Sequence, residues 1–124
     1  MPIHESGENY LETILMLKKR IGQVRSIDIV HEMEFSKPTV SIAMKQLREN
    51  GYIQMDAEGY ITLTEAGSEI AERIYERHYM VAEILMALGV DEKTAYQDSC
   101  RIEHDLSEQS FRCIKEHYLK NKGK

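Results

Sequence analysis

Long apolar runs are missing from this sequence. No stretch approaches the roughly 18 residues that a membrane-spanning helix needs, so no membrane partner is expected. Cysteine is scarce. Cys100 and Cys113 are too few for a disulfide framework. The start, Met1-Pro2-Ile3-His4-Glu5, lacks the basic-then-apolar pattern of an export signal, so the expected location is cytoplasmic, where thiols stay reduced. Proline and glycine are sparse, two and seven in 124 residues, which argues against disorder. Repeats and low-complexity segments are absent. No Gly-rich loop offers a cradle for a small-molecule substrate and no general base stands out, so the chain is not expected to be an enzyme.

What is present is enough apolar content, 42%, for one domain or a domain with a set of dimerisation helices. The net charge of −5 on its face disfavours nucleic acid, but its distribution matters more. Residues 36–48 carry Lys37, Lys45 and Arg48 and no acid. Residues 89–108 carry Asp91, Glu92, Asp98, Glu103, Asp105 and Glu108 against Lys93 and Arg101 alone. A basic segment in the first half could meet phosphate while an acidic one in the second holds cations.

Apolar periodicity predicts a helix over 5–20, with Lys18-Lys19-Arg20 suiting its C-terminal dipole and Gly22 ending it. Ser26 is expected to cap a short helix to about Glu34, and Phe35-Ser36 to form a tight turn. Ser36 then caps a third helix, with Pro38 in its first turn, running to Asn50-Gly51. Alternating strands 52–55 and 60–63 flank Asp56-Ala57-Glu58-Gly59, a hairpin signal. Helix-turn-helix plus hairpin predicts a winged helix. The exposed side of its second helix would carry Ser36, Lys37, Pro38, Thr39, Ser41, Ile42, Lys45 and Arg48, hydroxyls and cations suited to phosphates and base edges of duplex DNA. A winged helix used for protein contact is the plainer alternative.

Thr64 is expected to cap a long helix, Glu65 to about Leu88, closed by Gly89. Asp91 caps the next, through Asp105, and Ser107 the last, with Phe111, Ile114, Tyr118 and Leu119 apolar. The fold class is therefore mainly α with a small β-hairpin: a winged helix-turn-helix domain, 1–64, then a helical domain, 65–124.

Within that second domain, Cys100-Arg101-Ile102-Glu103-His104 places a thiol, a carboxylate and an imidazole at i, i+3 and i+4, on one helical face. Sulfur, oxygen and nitrogen donors together suit a first-row transition metal. The bland reading is a core cysteine beside a surface Glu and His. His78, alone mid-helix, and Asn9 and Glu12, three apart on the first helix, read more simply as ordinary polar residues.

Asn9-Tyr10-Leu11-Glu12-Thr13-Ile14, Ser36-Lys37-Pro38-Thr39-Val40-Ser41, Leu63-Thr64-Glu65-Ala66-Gly67, Arg77-His78, Leu88-Gly89-Val90-Asp91 and Cys100-Arg101-Ile102-Glu103-His104 occur in order over nearly the whole chain. With them the sequence resembles the diphtheria-toxin-repressor family of iron- and manganese-dependent regulators, in a short form without the extra C-terminal domain. The resemblance implies a homodimer on double-stranded operator DNA, regulating metal-homeostasis genes, usually by repression. It implies a metal linking the first helix to the helices after the wing, with Glu12, His78, Cys100, Glu103 and His104 as ligands and Asn9 at a further ligand position.

The implied site is a hybrid. Cys100 matches the iron branch and Glu12 the manganese branch. Asn9 offers only a neutral carbonyl oxygen, and Tyr96 stands where the iron branch has an ancillary His. The implied cofactor is Mn2+ or Fe2+, and the thiolate also admits Co2+, Ni2+ or Zn2+. The competing expectation is a winged-helix regulator answering to a small molecule, or to thiol oxidation at Cys100, without metal.

Overall fold

The computed structural model describes residues 5–122, with every side chain but those of Glu5 and His104. In chain order it has α1 (Glu5–Ile21), α2 (Ser26–Met33), α3 (Lys37–Glu49), β1 (Ile53–Met55), β2 (Ile61–Leu63), α4 (Glu65–Ala87), α5 (Glu92–Asp105) and α6 (Glu108–Asn121). Two compact units result, Met1–Arg73 and Ile74–Lys124, so the division falls inside α4.

In the first unit, Tyr10, Leu11, Ile14 and Leu17 of α1 recur at helical spacing and are buried with Ile29, Val40, Met44, Leu47, Ile53, Ile61 and Ala71. Lys18, Lys19 and Arg20 fill the last turn of α1, and Gly22 follows at φ 86°. Ser26 does not cap α2 as expected; it is the first helical residue. Arg25 takes the cap position, and the Asp28 carboxylate reaches back to accept its backbone N–H at 2.8 Å. An acid three residues inside a helix satisfies an otherwise orphaned N–H, so a serine hydroxyl is not needed there. The turn to α3 uses Glu34 in the left-handed region, φ 57°. Ser36 caps α3, its Oγ accepting from the Thr39 N–H at 3.3 Å, with Pro38 in the first turn.

The hairpin is shorter than the alternation predicts. Ile53 pairs with Leu63 and Met55 with Ile61. The Tyr52 N–H bonds the Leu47 carbonyl at the end of α3 while its carbonyl accepts from Thr64 N–H, and Tyr60 closes the turn by accepting from Asp56 N–H. The turn is held by Asp56, whose carboxylate accepts from the N–H groups of Glu58 and Tyr60. A third edge escaped the periodicity: Val24, in the α1–α2 link, bridges Ile61, whose N–H donates to its carbonyl at 2.7 Å.

Thr64 caps α4 and also ties it to the end of α3, its hydroxyl donating to the Gly51 carbonyl at 2.6 Å and accepting from Gly67 N–H. A Cβ on Gly67 would overlap the Tyr52 carbonyl oxygen. Only glycine lets this turn of α4 lie against the strand entry.

In the second unit Ile74, Val81, Ala82, Ala95 and Phe111 are buried. Asp91 caps α5, accepting from Thr94 N–H and Thr94 hydroxyl, and these bonds hold its carboxyl below the usual range. Ser107 caps α6 through Ser110 N–H. Cys113 is exposed. Phe111 takes the inward position of α6, and two residues further on a helix points to the opposite side. Leu88 at the end of α4 is also exposed, at 77%. Among the described residues no helix is long and apolar enough to cross a membrane.

Candidate metal centre and nucleic-acid interface

His78 on α4 meets Cys100 and Glu103 on α5. One ligand atom from each lies within 4.8 Å of the others. The Cys100 Sγ and Glu103 Oε2 atoms flank the same ring nitrogen, His78 Nδ1, each at 3.6 Å. Donors at bonding distance from one tetrahedral ion stand roughly 3.5 Å apart, given metal–ligand bonds of about 2.0–2.3 Å. The spacing is therefore that of side chains poised around a common centre. Glu103 has no exposed surface and His78 is buried, while Cys100 lies at the open side. Burying a carboxylate fully is costly unless positive charge stands close. A mixed nitrogen, oxygen and sulfur set with one exposed member fits a first-row divalent ion.

Two supports of this cluster went unread in the sequence. Tyr79 and Tyr96 lie against the His78 ring, each with its centroid 5.7 Å away. Arg77, next to His78, is buried and grips the far end of α5. Its Nη1 donates to the carbonyls of Glu103 and Leu106 at 3.1 Å, and its Nη2 pairs with Glu108 at 2.8 Å. Its guanidinium also lies 5.0 Å from the Phe111 ring centroid. An arginine directly before a candidate ligand was the available signal.

Of the remaining sequence candidates, Glu12 is buried and Asn9 half-buried on α1, in the first unit. The His104 side chain lies outside the described residues. On α3, Ser36, Lys37, Pro38, Thr39, Ser41 and Lys45 are all exposed, as is Arg48. The Ser36 and Thr39 hydroxyls share a hydrogen bond of 2.8 Å at the helix start. Exposed hydroxyls and cations without an acid make this face fit for a phosphate backbone.

A winged helix with a basic recognition helix, in one chain with a Cys–His–Glu cluster whose His and Glu are buried, defines a metal-responsive DNA-binding regulator. Comparison with known proteins agrees. Residues 3–61 match the model of the iron-dependent repressor N-terminal DNA-binding domain. Residues 64–122 match that of the iron-dependent repressor metal-binding and dimerisation domain. The chain is 33% identical over 104 residues to the Escherichia coli transcriptional regulator MntR, covering 84% of this chain and 67% of that protein. It is also 33% identical over 113 residues to a helix-turn-helix regulator of Methanocaldococcus jannaschii, covering 90% of each. The solved structure of the manganese regulator SloR superposes with a TM-score of 0.80 at 24% identity, over 98% of this chain and 56% of that one. The chain thus spans little more than half of that relative. It belongs to the diphtheria-toxin-repressor family, the iron-dependent repressors, and is one of its metal-dependent transcriptional regulators.

Proposed function

We propose that this protein is a repressor that binds double-stranded operator DNA as a homodimer when a divalent ion, manganese or iron, is held by its helical domain, and that it controls metal-homeostasis genes. The observation that carries the reading is the meeting of His78, Cys100 and Glu103 within 4.8 Å in a chain whose other unit is a winged helix. SloR, a manganese regulator, shares the fold.

A bound divalent ion supplies positive charge and bonds side chains of different helices to a common centre. The rest is done by the chain. Glu103, on the buried side of α5, brings negative charge against the His78 ring with the exposed Cys100 thiol beside it, and full burial makes that charge costly. His104, Glu12 and Asn9 join the ligand set on the strength of the resemblance. α3 presents Lys37, Lys45 and Arg48 to phosphates and Ser36, Pro38, Thr39 and Ser41 to the groove. The coupling between metal and DNA is expected to be about 1–3 kcal/mol and reciprocal, so operator DNA tightens metal binding.

Dimerisation is supported by the exposed Leu88, Ile102, Ile114 and Leu119 of the second unit. The functional boundary is placed at 64/65. A cytoplasmic location and the lack of catalytic activity complete the reading. Cys100 biases the site towards softer ions than manganese.

The test is duplex binding by the full chain with chelator and then with Mn2+, Fe2+, Co2+ or Zn2+, for wild type and Cys100→Glu. Binding that needs metal, with preference moving towards manganese in the variant, is the expected result. Binding indifferent to chelator overturns the proposal.

A further inference from the structure

α3 carries one residue that the phosphate-and-hydroxyl description does not absorb. Val40, Met44 and Leu47 fix its buried side. Ile42, two residues from Val40, stands about 200° round the helix at 100° per residue, facing away from the core. It is 60% exposed, more than Ile21, Ile27 or Phe35, the other exposed large apolar side chains described in this unit. Its neighbours one turn away are Pro38, Thr39, Lys45 and Gln46, all exposed and none acidic. A single exposed isoleucine on a protein surface calls for no explanation. At the centre of the face a recognition helix turns to DNA, it has a chemical consequence. Its side chain has no donor or acceptor, so it cannot read hydrogen-bonding edges. The apolar feature of the major groove is the C5-methyl of thymine.

We propose that Ile42 is a specificity residue that selects thymine at one position of each half-site by packing on that methyl group. The inference rests on the reading of α3 as the groove-binding helix. A protein partner is the rival occupant, since Ile42 also lines a cleft of about 380 Å³ with Met33, Phe35 and Tyr10. DNA is favoured because Lys45 adjoins Ile42 one turn on, Lys37 and Arg48 are exposed on the same helix, and residues 36–48 contain no acid. Such a surface meets a polyanion better than an apolar peptide.

The experiment begins with selection of random duplexes by the full chain loaded with Mn2+ or Zn2+. Each thymine of the selected site is then replaced singly by deoxyuridine, which removes the methyl and nothing else. In wild type, one replacement per half-site is expected to weaken binding about fourfold, the equivalent of roughly 0.8 kcal/mol for one buried CH2-sized group. Ile42→Ala is expected to lose that sensitivity while keeping the salt dependence set by phosphate contacts. Ile42→Gln is expected to move the preference at that pair from thymine to adenine, which glutamine reads through two hydrogen bonds. A wild type indifferent to every methyl, or an Ile42→Ala variant with undiminished sensitivity, overturns the proposal and leaves the DNA-binding reading intact. If no duplex is enriched under any metal, both fall.

Discussion

Replacing Arg77 by Ala is expected to destabilise the second unit by about 3–5 kcal/mol, the range for breaking a buried charged contact. The magnitude comes from four contacts of unequal worth. The two bonds to the carbonyls of Glu103 and Leu106 are 3.1 Å long and start from a side chain only 8% exposed. Buried bonds from a charged donor contribute about 1.5–3 kcal/mol each. The pair with Glu108 is worth less than about 1 kcal/mol, because that carboxylate is 60% exposed and screened. The Phe111 ring, 5.0 Å away, adds about 0.5–1 kcal/mol. The terms share one side chain and do not simply add. Urea unfolding followed by far-UV circular dichroism, in chelator and at fixed protomer concentration, reads the result. With a slope of about 1–3 kcal/mol per molar urea, the midpoint should fall by at least about 1 M. Glu108→Ala is the control and should move it little. Arg77→Lys should recover only part of the loss, since an ammonium lacks the planar fork that spans two carbonyls and a carboxylate. Because the same fork anchors the Glu103 backbone, Arg77→Lys should also weaken metal binding while the fold persists. An Arg77→Ala variant within about 0.5 kcal/mol of wild type would refute the reasoning.

Three other outcomes are expected. With metal at a hundred times its dissociation constant, wild type should gain about 2.7 kcal/mol; a Glu103→Gln variant binding a hundredfold more weakly should gain about 0.4 kcal/mol in the same thermal-shift experiment, and an equal gain would remove Glu103 from the ligand set. Gly67→Ala should cost a net of roughly 1–2 kcal/mol, since overlap with the Tyr52 carbonyl outweighs the improved helix propensity; a stabilised variant would mean the backbone yields easily there. The Asp91 carboxyl is held below its usual range by bonds from Thr94, so its contribution to stability is present above the unfolded value near 3.9 and is lost as pH falls through the lower folded one. The gap in melting temperature between wild type and Asp91→Ala should therefore be full at pH 6 and close at strongly acid pH; a gap that persists there would show that the charge is not the source.

The division between what sequence and tertiary structure decide follows the range of the interactions. Local rules placed α1, α3, α5 and α6 with their caps, because Ser36, Asp91 and Ser107 bond groups three residues away and the apolar period is read along one helix. The i, i+3 pairing of Cys100 and Glu103 on α5 is likewise local, and so is the basic, hydroxyl-rich side of α3. The short strands and the α2 cap departed from the local reading. The Tyr52 N–H found its partner in α3, and Arg25 was served by Asp28 through a bond that is itself local but follows a different rule from the serine cap. Nothing in the spacing of His78 alone distinguishes a candidate ligand from an ordinary imidazole. Its meeting with Cys100 and Glu103, 22 residues away at the thiol, exists only once α4 and α5 are folded together. The same holds for Arg77, whose acceptors lie 26 to 31 residues on, and for Cys113, which α6 turns outward because Phe111 has taken the inner position. Periodicity specifies which residues share a face, while the neighbour each face receives is a property of the packed chain.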